Sequence, residues 1–115
     1  MREKPAARRA GQRSIGQVEA VKLRRRSRKH PGLLLFKGEP ASGLSIAKSV
    51  LVTIVEQGEL PQAWIDREKG RIHLFFASAD HPDVVALTDD PSSCVCYLWS
   101  SADGRQSHAW LLKTR

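Results

Sequence analysis

The sequence predicts an α+β domain, with one main helix packed on a mostly antiparallel sheet of four to five strands and a flexible basic arm in front of it. Three observations predict this: positive charge crowded into the first thirty residues, one long apolar segment at helical spacing, and two hairpins with glycine turns. A winged-helix-like arrangement is the architectural alternative, with the main helix followed by the first hairpin as a wing. At 115 residues the chain has the length of one domain, since domains run to about 100–200 residues.

The arm comes first. Residues 1–30 carry 11 basic side chains against Glu3 and Glu19, a net +9, whereas residues 31–115 carry 8 basic and 10 acidic ones, a net −2. With few large apolar groups, such a segment cannot bury enough surface to offset the entropy of ordering, so it is expected to be mobile when free. Within it, residues 15–29 could coil into a helix with Ile15, Val18 and Val21 on one side, given a partner to pack against. Proline restricts its predecessor and glycine loosens the backbone, so His30-Pro31-Gly32 marks the boundary between the arm, 1–30, and a single domain, 31–115.

Residues 33–37 read as a short buried strand. Ser42 is then a plausible N-cap for a helix running to about Gln57, with Leu44, Ala47, Val50, Leu51, Ile54 and Val55 on one face, although its β-branched residues leave a strand reading open. Gly58 stands where a C′ glycine would, and Pro61 lies just past it. Next come Ala63 to Asp66 and Arg71 to Ala77 around a turn ending in Gly70, a pairing that puts Ile65, Ile72, Leu74 and Phe76 on one face and Trp64, His73 and Phe75 on the other. Asp80 to Thr88 suggests one or two helical turns begun by an acid and a proline. Cys94 to Ser100 and Ser107 to Lys113 flank Asp103-Gly104, a strong hairpin signal. Centring the turn there sets Val95, Tyr97 and Trp99 opposite Leu112, Trp110 and His108.

If both hairpins join one sheet, Trp64, Phe75, Tyr97, Trp99 and Trp110 share the face away from the helix, five of the seven aromatic residues. Flat rings reached by a cationic arm are what single-stranded RNA or DNA binders use, because every base has a face to stack. Lys22, Arg24, Arg25, Arg26, Arg28 and Lys29 would supply phosphate contacts. The leading expectation is therefore a small non-enzymatic nucleic-acid-binding accessory protein. Its rival is a protein-interaction module or inhibitor that uses the aromatic face and docks its arm on an acidic partner, with a homodimer through that face as a further option.

Residues 33–45, with Gly38 and Gly43 at GxxxxG spacing and Ser45 at the metal-binding hydroxyl position, resemble a P-loop. Leu44 occupies the place of the phosphate-reaching lysine, so a capped turn before a core helix is expected instead. A helix followed by a curled antiparallel sheet resembles the layout of small bacterial endoribonuclease toxins. That resemblance makes His73, His108, Arg71 and Tyr97, together with Arg105, candidates for metal-free cleavage. Cys94 and Cys96 share a strand face and read as small core residues, and neither a metal nor a cofactor is expected. The apolar runs, such as residues 33–36, are far below the roughly 18 residues of a membrane span. Without an apolar leader in the arm or a disulfide framework, a cytoplasmic location is expected.

Overall fold

The computed structural model describes residues 16–30 and 32–114. They form seven strands, β1 (Gln17–His30), β2 (Leu33–Pro40), β3 (Ser49–Val55), β4 (Trp64–Asp66), β5 (Arg71–Ala77), β6 (Cys94–Ser100) and β7 (Ser107–Lys113), and one short helix, α1 (His81–Leu87). All seven belong to one sheet, ordered β4-β5-β3-β2-β1-β6-β7, antiparallel except for β3 beside β5. The sheet curls into a nearly closed barrel whose ends meet where Ser107 donates its backbone N–H to Gln62 Oε1 at 2.8 Å and its hydroxyl to the Ala63 carbonyl.

This architecture overturns the expected α+β layout, because the main helix is absent. The segment read as a helix from Ser42 is an irregular loop, 41–48, followed by β3. Five of the six residues from Val50 to Val55 are β-branched, which favours a pleated strand. As β3 lies between β2 and β5 with Val50, Val52 and Ile54 buried and the alternate residues half-buried, its apolar run is continuous and imitates a helical face. The winged-helix alternative falls with it, since among the described residues no α-helix precedes α1.

The expected arm is also corrected. From residue 17 onward it is β1, which pairs with β2 on one side and β6 on the other, and the expected boundary at His30 falls in the turn between two paired strands. Val21 and Leu23 are fully buried and Glu19 nearly so, and that alternation with Lys22 and Arg24 is the strand signal. Residues 1–15 of the arm, including Ile15 of the proposed short helix, lie outside the described residues.

Both hairpins form in the expected registers. Trp64 opposes His73 and Ile65 opposes Ile72, while Val95, Tyr97 and Trp99 oppose Leu112, Trp110 and His108. Helix α1 sits where the acid and proline place it and inserts Val84 into the core. The inward faces of all the long strands meet inside the barrel, with Phe36, Leu34, Ile72, Val50, Val52, Leu98 and Cys96 almost wholly buried.

One mouth of the barrel is organised by two residues. Glu19 points inward from β1, accepts the N–H groups of Ile46 at 2.8 Å and Ala47 at 3.3 Å, and meets Arg67 at 3.7 Å. Gly70, at φ +62°, offers its carbonyl to the N–H groups of Lys48 and Ser49, and a Cβ there would stand 2.8 Å from the Ile46 carbonyl oxygen. Glu19→Ala orphans two amides that are shielded from water, at about 1–3 kcal/mol each, and Gly70→Ala combines a strained φ with a backbone clash at about 1–3 kcal/mol. Urea unfolding followed by tryptophan fluorescence should show both losses, with Glu19→Gln keeping much of the stability through its remaining carbonyl oxygen.

Candidate functional site

In an antiparallel pair, residues directly opposite each other project from the same face, so the barrel's outer surface can be read in rows. Across β1, β6 and β7 one row is Lys22, Val95 and Leu112, the next is Ala20, Tyr97 and Trp110, and the third is Val18, Trp99 and His108. Trp99 stacks on His108 with ring centroids 5.8 Å apart and planes 18° from parallel. Val18, Trp110 and Leu112 are each about half exposed, at 52%, 47% and 49%. Ala20 and Val95 are themselves buried, so the exposed apolar surface here is Val18 on β1 with Trp110 and Leu112 on β7, and the half-buried Tyr97 and Trp99 between them.

The basic run continues this surface along β1. The register of β1 against β2 shifts between Leu23 and Arg25 and again between Arg26 and Arg28. Each shift is a bulge, an extra residue that re-aims its neighbours and adds twist. Consequently Arg24, Arg25, Arg26 and Ser27 are all exposed where strict alternation would turn every second one inward. Arg25 pairs with Lys37, and Arg24 meets Glu39 at 3.5 Å on the open surface. Arg28 and Lys29 occupy strand positions opposite Leu35 and Leu34.

The five aromatic residues do share the outer face, but the curl of the sheet divides them. Trp64 and Phe75 belong to the β4–β5 edge, where Trp64 lies flat on His73 with centroids 4.1 Å apart and planes within 6°. Tyr97, Trp99 and Trp110 belong to the β6–β7 edge. The seam runs between the two groups, and Phe75 and His108 line a cavity of about 220 Å³ across it.

The residues considered for cleavage are spread out. Arg71 donates Nε–H to the Ser49 hydroxyl at 3.1 Å, close to His73 on β5. Tyr97 lines a groove of about 770 Å³ with Ala20, Leu44 and Arg67, separate from the cavity at His108, and the Arg105 carbonyl accepts from Gln62 Nε2 at 3.1 Å. Burial, then the nearby Arg71 charge, lowers the His73 pKa below 6.5, with Asp66 opposing and Lys69 reinforcing the effect.

The P-loop resemblance does not survive the geometry. Ser45 is buried, its hydroxyl accepts the Ala20 N–H at 2.8 Å and shares a hydrogen bond with the Ser42 hydroxyl, and no helix follows. These bonds replace strand pairing that stops at Pro40, where Ala41 N–H also reaches the Ala20 carbonyl. Cys94 and Cys96 are buried and unbridged. Burial raises both thiol pKa values, that of Cys96 to about 12. Among the described residues no three His, Cys, Asp or Glu side chains cluster as metal ligands, and no helix is long and apolar enough to cross a membrane.

Two structural features lay outside the sequence reading, the inward Glu19 clasp and the seam between β5 and β7. A carboxylate in strand alternation with Val21 and Leu23 was the available signal for the first. Comparison with protein-family models, curated proteins and solved structures finds no match for this chain.

Two measurements check the site's chemistry. Cys94 and Cys96 should resist a thiol reagent in the folded protein at pH 8 and react only as it unfolds. His73 should titrate below 6.5 by NMR and move toward 6.5 in Trp64→Ala. Because its folded value is lowered, the contribution of His73 to stability is complete above about pH 6.5 and is lost as pH falls through the folded value.

Proposed function

We propose that this protein is a non-enzymatic nucleic-acid-binding accessory protein that lays a single strand along the outside of its barrel. The observation that carries the reading is that one strand joins both features: residues 17–22 of β1 pair with β6, beside Tyr97, Trp99 and Trp110, and the bulged basic stretch 24–29 continues the same strand past the end of β6, paired with β2. Lys22, Arg24, Arg25 and Arg26 are presented to solvent and would neutralise phosphates, while the rings one and two strands away would take bases. Arg28 and Lys29 extend the basic run, and Trp64 with Phe75 would form a second stacking surface beyond the seam. Rigid rings on a rigid basic strand favour a flexible single strand, which can splay its bases, over a duplex, which cannot.

A protein partner is the alternative. Val18 and Leu112 stand exposed among the rings, and aliphatic side chains on an outer surface suit a protein contact better than base stacking.

Fluorescence anisotropy of labelled single-stranded RNA, single-stranded DNA and duplex DNA, titrated against the full chain from low to physiological salt, separates the two. Point variants serve better than removal of residues 1–30, which would take away a strand held between β2 and β6. The expected result is a preference for single strands. Replacing Arg24, Arg25 and Arg26 with alanine should lower affinity and flatten the salt dependence by about 0.7 in log–log slope per lost phosphate contact. Trp110→Ala should cost about 1–3 kcal/mol of binding. Undetectable binding near physiological salt overturns the proposal, and unchanged nucleic-acid affinity in Trp110→Ala shifts that surface to a protein partner.

A further inference from the structure

The barrel is closed at one point and open beside it. Strand β4 pairs with Arg71, Ile72 and His73 of β5, so among the described residues Leu74 to Ala77 lack a strand partner on that side. Across the seam, β7 beyond Ser107 pairs with β6 alone among the described residues. Two strand edges therefore face a common slot. Between them lies a cleft of about 330 Å³, floored by Leu111, walled by Phe76, Val84 and Leu87, and edged by Asp80 and Asp83.

An exposed strand edge is a template for pairing, and proteins usually blunt it with proline, a bulge or charge. Strand β7 has none of these along its length. Its register with β6 is unbroken from Lys113 to Ser107, it contains no proline, and Lys113 at its end is its only charged residue. We propose that this seam accepts one extended strand from a partner protein, with apolar side chains at alternate positions and a lysine or arginine that meets Asp80 and Asp83. Backbone pairing with β7 would supply affinity and the cleft would supply side-chain selection, as in other strand-addition sites. The local charge selects the sign of the partner: residues 78–93 contain four aspartates and no lysine or arginine, although the chain as a whole is basic. The cleft lies away from the basic run on β1 but shares Trp110 with the stacking surface proposed above, so peptide binding is measured without nucleic acid and does not rest on that reading.

The test uses seven-residue peptides selected from a random displayed library on the full chain, then synthesised with a fluorescent label. Selected peptides should alternate apolar residues and carry lysine or arginine, and bind in anisotropy titrations. Methylation of alternate peptide nitrogens should abolish binding. The double variant Asp80→Lys, Asp83→Lys, at two exposed positions, should weaken it at least about tenfold, with circular dichroism confirming that the barrel stays folded despite two cations at the N-terminus of α1. Hydrogen exchange should show protection gained by the amides of Ala109, Leu111 and Lys113, which alternate with those bonded to β6 and face the slot. Failure to enrich any peptide, indifference to the charge reversal, or binding without protection of β7 overturns the proposal. It is equally overturned if those amides are already protected in the free protein, whether in a dimer seen by sedimentation or in a monomer that loses the protection when residues 2–15 are deleted.

Discussion

The carboxylate of Glu19 is the constraint on which the arrangement of this barrel depends. It sits on the inward face of β1, where a strand interior would ordinarily carry an apolar residue, and a buried carboxylate is tolerated only when its hydrogen-bonding capacity is filled. Here the amides of Ile46 and Ala47 fill it, with Arg67 beyond them. That requirement fixes the loop between β2 and β3 against β1, which brings the Lys48 and Ser49 amides to the Gly70 carbonyl. The turn between β4 and β5 is thereby tied to the start of β3, and the parallel pairing of β3 with β5 begins in register. One inward acid thus links three segments that are distant in sequence.

The same logic explains why a sheet of seven strands needs so little helix. A curled sheet buries its own inner face, so α1 has only to insert Val84 at an opening and carry the chain from β5 to β6. Closure is incomplete because β4 is three residues long. It joins the edge at Ala63 and Gln62, where Ser107 is captured, and leaves the rest of the β5 edge uncovered. The short strand is therefore the origin of both the seal and the slot beside it.

What was legible in the sequence follows from how local each signal was. The β6–β7 register could be read from Asp103-Gly104 because the turn itself dictates the pairing: the Asp103 carboxylate accepts from the Ser101 hydroxyl and the Arg105 amide, and Gly104 takes φ +76°. The β4–β5 faces followed from Gly70 for the same reason, and α1 from its acid and proline. Strand β3 was not legible as a strand, because a run buried on both faces has no alternation to show and its apolar spacing fits a helix equally well. Strand β1 was hidden by composition. Its arginines look like a solvated tail, and only its pairing with β2 and β6, made between residues distant in sequence, turns them into a strand. Of the candidate site, the membership of the outer face was legible, but its division by the seam was not, because curvature is a property of the whole sheet.

The placement of the basic run carries one further implication. A disordered tail can hold many arginines at little cost to folding, since its charges spread apart in solvent. In β1 the residues from Lys22 to Lys29 are held at strand spacing, with Arg25 paired to Lys37, and like charges directly opposite each other oppose folding. The two bulges reduce the conflict with the core by keeping Arg24, Arg25, Arg26 and Ser27 in water, yet they also break the ladder and forgo part of its hydrogen bonding. Nothing in the packing requires arginine at these exposed positions, where neutral polar residues would satisfy the strand with less repulsion. A fold that bears such a conflict in a strand paired with β2 holds a line of positive charge in continuation of the strand segment that adjoins the rings. A flexible basic tail lacks that fixed spacing, and in the nucleic-acid-binding reading proposed above it is the spacing that would set phosphate contacts and stacking contacts in one register.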